Sequence, residues 1–414
     1  MQLPVDFINE MTELLGKEEA GQLTEALASP SPTSIRLNRR KSVNLDFEDL
    51  TSKVDWCQEG LYLNNRPSFT LDPLFHAGCY YVQEASSMYV SHLIKQYAGN
   101  EPLVALDLCA APGGKSTLME NLLPDGSILF ANEIIPKRAQ ILRENLSKWI
   151  RRRDDGVDSV KGIGEVDVIV TNNKAGDYRK LGCVFDLMLC DVPCSGEGMF
   201  RKDVQAIEEW SANNVEMCWK RQREILEDVW DCLKPGGLMI YSTCTFNTKE
   251  DEENVIWIRD ELGAEVLPCH AKTEWNITGS LLKDEENLPC CHFFPHKVKG
   301  EGFFCAILRK RGDANKYSST YNGNGLLTKA KKVLKVLPTD NCFVDGEKEV
   351  KTYCDVECDT AIQYLRGEAI RLPDSTPRGY VWITYKEQPL GLVKNIGNRA
   401  NNLYPKEWRI RKQI

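Results

Sequence analysis

The chain has 414 residues, of which 42% are hydrophobic and 27% charged, and a net charge of −8. That length allows two or three domains with a sizeable core, and no apolar run reaches the ~18 residues that a membrane helix needs. The acidic balance argues mildly against a nucleic-acid partner, because phosphate contacts need Lys and Arg, although local charge counts for more than the total.

The opening MQLPVDFINEMTELLG has no basic start and no long apolar stretch, so a secretory signal is not expected. The 16 cysteines therefore read as reduced thiols of a cytoplasmic protein rather than a disulfide framework. Zinc could be imagined around Cys269, His270, Cys290, Cys291, His292 and His296. These form no CxxC pair, and adjacent Cys290 and Cys291 are awkward ligands, so no metal is expected.

In chain order, residues 1–100 mix helix with extended segments. Phe7, Met11, Leu14 and Leu15 recur at helical spacing before Gly16, which predicts helices over 7–15 and 18–28; SIRLNRR and GLYLN read as extended. Residues 101–312 alternate. Short apolar runs at 104–110, 127–133, 167–173, 185–191, 237–245 and 302–310 have the character of strands buried on both faces. Between them, Ile141, Leu142, Leu146, Trp149 and Ile150 form one helical face, which ends in Arg151–Arg153. A longer face runs from Val215 through Cys218, Trp219, Gln222, Ile225, Leu226, Val229 and Trp230 to Leu233, closed by Pro235-Gly236-Gly237. This alternation implies an α/β doubly wound parallel sheet of Rossmann-like type. Residues 313–414 open with a polar linker (309–325) and continue with strand-like pieces NCFVD, GYVWITYK and QPLGLVK, a small β-rich domain. From Lys394 to the end, six basic residues stand against Glu407, with Tyr404 and Trp408 among them. That composition suits RNA and equally a solvated terminal element.

The first core strand runs into Cys109, Ala110, Ala111, Pro112, Gly113, Gly114 and Lys115. The small residues let a ligand approach the backbone, and the next helix begins there with amides that favour a negative group. Glu133 ends the second strand, where an acid can accept from both hydroxyls of a ribose. Together these suit a nucleoside cofactor, with S-adenosylmethionine a candidate. Asp191, Cys194 and Cys244 lie at or beyond the ends of later strands, the edge where such sheets bind ligands. A thiol is not needed to methylate oxygen or nitrogen. Carbon 5 of a pyrimidine is poorly nucleophilic until a thiolate adds at C6. An acid at N3 would stabilise the charge that develops, and a second thiol could help release the product.

LDLCAAPGGK, FANE, DVPCSGEGMF and YSTCTFNTKEDEENV resemble the RNA cytosine-C5 methyltransferases of the NOL1/NOP2/Sun group. FTLDPLFHAGCYYVQEASSM (69–88), GEGFFCAILRK (300–310) and LGLVKNIGNRANNLYPKEWRI (390–410) are similar to the bacterial 16S ribosomal RNA methyltransferase F type. The resemblance implies an enzyme using S-adenosylmethionine, held by residues 109–115, Glu133 and Asp191. It further implies Cys244 as the nucleophile that attacks C6, Cys194 as the thiol of product release, and Asp191 beside cofactor and base. It also implies a PUA-like C-terminal RNA-binding domain, a bracing N-terminal region, a 16S ribosomal RNA or small-subunit substrate and a monomer. Two positions depart from the family pattern: Lys174 stands where an Asp near the adenine is usual, leaving Asn173 or Asp177 as substitutes, and His292 stands where an arginine is usual. Transfer RNA methylation is an alternative, since the core motifs do not encode the substrate. A non-catalytic RNA-binding assembly factor is another: Lys174 favours it, and the intact Asp191, Cys194 and Cys244 oppose it.

Overall fold

The structure, a computed structural model, describes residues 3–41, 50–151, 166–312, 323–338 and 350–411. Two helices, Val5–Leu15 and Lys17–Ala28, open the chain. They turn at Gly16, whose φ of 81° is a conformation that glycine adopts without steric cost. A four-stranded sheet follows, of β1 (Thr33–Leu37), β2 (Leu50–Val54), β3 (Cys57–Leu63) and β4 (Tyr80–Val82), in the order β2-β3-β1-β4.

The large sheet contains β5 (Val104–Asp107), β6 (Ile128–Asn132), β7 (Asp167–Thr171), β8 (Phe185–Asp191), β9 (Leu233–Thr243), β10 (Ala264–Leu267), β11 (Cys291–Phe293), β12 (Phe303–Lys310) and β13 (Val336–Leu337). Its order is β10-β12-β9-β8-β5-β6-β7-β13, with β11 alongside β12. Strands β5 to β9 run parallel, as the alternation predicts. The edges are antiparallel: β12 pairs with β9, β10 and β11 with β12, and β13 with β7. From β5 the chain winds outward through β6 and β7, then returns to the other side of β5 for β8 and β9. The crevice between β5 and β8 is therefore the topological switch point.

Side chains on the two faces of this sheet form two separate cores. One gathers Leu106, Phe130, Phe185, Met188, Tyr241 and Phe304, the other Leu118, Leu129, Leu189, Ile240, Phe293 and Ile307. The helix Pro136–Ile150 buries Leu142, Leu146 and Trp149 as expected, but Ile141 is 48% exposed, because it falls one position off the buried stripe. The helix Ala212–Trp230 buries Val215, Cys218, Gln222, Leu226, Val229 and Trp230. It stops before Pro235-Gly236-Gly237, which lies inside β9 rather than closing the helix, and Leu233 begins that strand.

A third sheet, β14 (Tyr353–Asp355), β15 (Gly379–Tyr385), β16 (Gln388–Asn395) and β17 (Ala400–Asn402), holds the expected GYVWITYK and QPLGLVK strands. The NCFVD piece lies outside the described residues, as do most of the linker and Arg152–Arg153. Tyr404 and Trp408 are 1% and 5% exposed; Tyr404 packs edge to face with both Tyr364 and Trp408. They are core residues and offer no stacking platform. Lys394, Arg399, Lys406 and Arg411 remain exposed. The first and third sheets share one core, in which Ile35, Leu63 and Leu74 meet Leu365, Val381 and Ile383.

Arg36 of β1 ties the first sheet to the central one. It is 1% exposed, lies 4.7 Å over the Trp149 ring, and donates to Gln83 Oε1 (2.8 Å), the Gly114 carbonyl and Thr117 Oγ1. Replacing it by leucine would strand several buried acceptors. Arg36→Leu is expected to cost about 3 kcal/mol in denaturant unfolding, well beyond a surface change.

Candidate active site

At the switch point, Asp107 ends β5 and Asp191 ends β8. Gly113, at φ 117°, turns the loop after β5 into the helix Gly114–Leu122, and Lys115 in its first turn reaches back across the crevice. Lys115 Nζ lies 2.8 Å from Asp191 Oδ2, and Ser242 Oγ on β9 donates to Asp191 Oδ1 at 2.7 Å. Burial works to lower the Lys115 pKa, but the attraction of Asp191 outweighs it and raises the ammonium above its ordinary value.

Beside this pair, Cys194 Sγ and Cys244 Sγ stand 3.2 Å apart as free thiols. Cys194 follows β8 through Val192 and Pro193, and Cys244 directly follows β9, so two neighbouring parallel strands deliver the two sulfurs to one point. The hydrogen bond with Cys244, followed by burial, holds the Cys194 thiol well above its ordinary value; either sulfur can be the donor of the pair. Gly198 is packed against this spot. A Cβ there would meet the Cys244 carbonyl at 2.8 Å and the Gly302 carbonyl at 3.0 Å.

Both features open into a cavity of about 310 Å³. Its wall includes Cys109, Ala110, Ala111, Pro112, Gly114, Lys115, Asp191, Cys194 and Cys244, which brings together nine of the eleven residues singled out from the sequence. Gly113 and Glu133 are not among its lining residues. Glu133, 2% exposed, faces its own loop, accepting from Ile135 N at 2.8 Å with Arg138 3.4 Å from its other oxygen. Near the expected adenine position, Asn173 exchanges hydrogen bonds with the Lys335 backbone, and Asp177 is held by Lys180 and the Lys174 amide. Both substitutes for the usual Asp thus have prior partners.

Other wall residues were not singled out from the sequence. Gln83 and Glu84 come from the first sheet, where nothing local marks them. Lys202 and Glu301 form an ion pair at the rim, and Glu301 faces the cavity from the turn before β12. Asp107 was legible by the rule that picked out Glu133, an acid at a strand end. It is fully buried, accepts from Ser116 Oγ at 2.6 Å through one oxygen, and its Oδ1 has no protein partner. Burial, with Asp191 adding to it against the Ser116 bond, pushes its pKa up to about 7.

Among the described residues, Glu252, Cys290 and His292 lie close enough to share a cation. Glu252 Oε1 is already bonded to His292 Nε2 (2.8 Å) and Leu281 N (2.7 Å). His292 also stacks on Phe294, with its Nδ1 3.8 Å from Asp251, so it sits as a buried link between two acids.

Residues 96–309 match the family described as 16S rRNA methyltransferase RsmB/F. The chain belongs to that family. Residues 3–85 match the N-terminal domain of 16S rRNA methyltransferase RsmF, and residues 353–410 match the RsmF PUA domain. Ribosomal RNA small subunit methyltransferase F of Salmonella typhi is 28% identical, over 98% of this chain and 96% of its own; that of Salmonella arizonae is equally similar. A methyltransferase homolog protein from Pyrococcus horikoshii is 27% identical at a TM-score of 0.58, covering 74% of this chain and 100% of its own. NSun6 from the same organism, solved with SFG, shares the fold at 21% identity and a TM-score of 0.59, over 75% of this chain and 99% of its own. Family membership makes the chain a methyltransferase.

Two outcomes follow from this geometry. Gly198→Ala pushes on the Cys244 and Gly302 carbonyls and is expected to lower the melting temperature, by about 1–3 kcal/mol of stability, together with methyl transfer. The Asp107 pKa in the folded protein lies above the ordinary carboxylate value. Its contribution to stability is therefore present at low pH and lost as pH rises through about 7. In ligand-free protein, Asp107→Asn should flatten that part of the stability–pH curve, read by denaturant unfolding between pH 4 and 8.

Proposed function

We propose that the chain is an S-adenosylmethionine-dependent RNA cytosine-C5 methyltransferase acting on 16S ribosomal RNA. The observation that carries this reading is the pair of thiols 3.2 Å apart beside an acid, in one cavity with a small-residue loop. Two free cysteines and an acid at one point have no use in oxygen or nitrogen methylation, and they answer the need of an unreactive pyrimidine carbon.

The residues fit S-adenosylmethionine. Ala110, Ala111 and Gly114 leave room against the backbone, and the helix N-terminus with Lys115 suits a carboxylate. The unpartnered Asp107 Oδ1 in the cavity wall offers an acceptor to an ammonium. When bound, the cofactor supplies its methyl group as an electrophilic sulfonium.

The chain's own residues do the rest. Cys244 Sγ bonds to C6 of a cytosine turned out of its stack, which makes C5 nucleophilic. A proton shared between the Asp191 carboxyl and N3, with Lys115 and Ser242 holding that carboxyl in place, neutralises the charge that develops on N3 as Cys244 adds. After methylation the C5 proton leaves, the Cys244–C6 bond breaks, and Cys194 assists that release. Residues 3–85 brace the cofactor loop through Arg36, and Tyr81 Oη bonds to the Pro112 carbonyl at 3.2 Å. The PUA-type sheet, with Lys394, Arg399 and Lys406 exposed, supplies RNA contacts away from the cavity.

Cys194→Ala tests this directly. Incubated with S-adenosylmethionine and 16S ribosomal RNA or small subunits lacking the modification, it should accumulate a protein–RNA adduct on a denaturing gel. The adduct should vanish when Cys244→Ala is added. An adduct formed with transfer RNA instead would move the substrate. No adduct, from a wild-type protein that transfers methyl groups, would overturn the assignment of the two thiols.

A further inference from the structure

The loops that carry the two thiols are held to each other by two buried acids with reciprocal roles. Glu197 lies on the Cys194 loop and reaches across to the Cys244 loop. Its Oε2 accepts from Phe246 N (2.6 Å) and Asn247 N (3.2 Å), and its Oε1 from Asn247 Nδ2 (3.0 Å) and Trp210 Nε1 (3.0 Å). Glu250 follows the Cys244 loop and reaches back. Its Oε2 accepts from Ser195 N (3.0 Å) and Gln222 Nε2 (2.7 Å), and its Oε1 from Ser195 Oγ and Asn247 Nδ2. Ser195 is the residue after Cys194, and Phe246 is two residues beyond Cys244. A further bond, Gly198 N to the Cys244 carbonyl at 2.7 Å, closes the same seam.

Both carboxyl groups are fully buried, and no Lys or Arg makes an ion pair with either among the described residues. Burial raises both pKa values, and for Glu197 the nearby Glu250 charge adds to it, up to about 8; the donors from the opposite loop, Phe246 and Asn247 for Glu197 and Ser195 for Glu250, pull them back. Two acids buried without a cation are costly unless every donor around them is placed. Simple loop stapling could be met by apolar packing, which Phe200, Trp210, Phe246 and Phe294 already provide alongside Phe7.

We propose that Glu197 and Glu250 are positioning residues, a reciprocal clamp that sets the distance between the Cys194 and Cys244 sulfurs. The importance of that distance for catalysis rests on the reading of the two thiols as the reacting pair, and the clamp itself can be read without it. Hydrogen peroxide, reduced to two waters, takes two electrons and two protons from a pair of thiols and leaves a disulfide, at a rate that depends on how the sulfurs meet.

The experiment uses full-length wild type, E197Q and E250Q, each checked for an intact melting transition. The rate of Cys194–Cys244 disulfide formation under peroxide is followed by mass mapping, and single-turnover methyl transfer and S-adenosylmethionine affinity are measured in parallel. The clamp predicts disulfide formation slowed by about tenfold or more, transfer slowed to match, and cofactor affinity unchanged, because Lys115 and the loop after β5 are not part of the clamp. Should E250Q melt too low to assay, Ser195→Ala, which deletes one donor to Glu250, carries the same test with the same signature. Unchanged disulfide rates in folded variants would overturn the clamp. Slowed disulfide formation in variants, with Cys244→Ala still methylating RNA, would keep the clamp and overturn the covalent reading instead.

Discussion

The Lys115–Asp191 ion pair is the interaction around which the rest of the site is arranged. It joins the loop after the first strand of the large sheet to the end of the fourth, across the crevice where the winding reverses. Because the pair spans that crevice, it ties the loop after β5 to the end of β8. Ser242 on β9 holds the other oxygen of Asp191, so three adjacent strands fix one carboxylate. In this half-buried setting, charge and hydrogen bonds act more strongly than at the open surface, and they keep their orientation before any ligand arrives.

The thiols are held in a different way. Their loops are fastened by neutral donors and two buried acids, and packed by Phe200, Trp210, Phe246 and Phe294 against Phe7 of the first helix. The site therefore has an electrostatic half, which suits a charged cofactor and a base that develops charge. Its other half carries the two thiols on loops joined by buried hydrogen bonds.

Much of this was legible in the sequence because parallel sheets write their strands as short apolar runs and their sites at strand ends. The 104–107, 128–132 and 185–191 strands, the small-residue loop and the two thiols came from such local patterns. What was not legible is long-range. Gln83 and Glu84 reach the cavity only because the first sheet folds onto the Gly114–Leu122 helix through Arg36. The antiparallel setting of β12 is set by its partners, since an apolar run reads the same in either direction. By composition the segment with Tyr404 and Trp408 suited RNA and a solvated terminal element equally, and tertiary packing turned both aromatics inward instead. Glu133 was found by its place in the chain, but its side chain turned to Ile135 N and Arg138, which a strand-end rule does not foresee.

The core shared by the first and third sheets has a consequence for how the chain acquires its structure. Ile35, Leu63 and Leu74 are covered by Leu365, Val381 and Ile383, which follow the central sheet in the chain. During synthesis, the N-terminal sheet therefore waits with an apolar face open while the whole central sheet is translated and folded beneath it. That docking brings together segments far apart in sequence, a slow kind of contact that leaves an apolar surface unprotected until it forms. A chain released early would carry that surface permanently, and the quality-control machinery of the cell would meet it as a protein with a finished catalytic sheet and an unfinished flank.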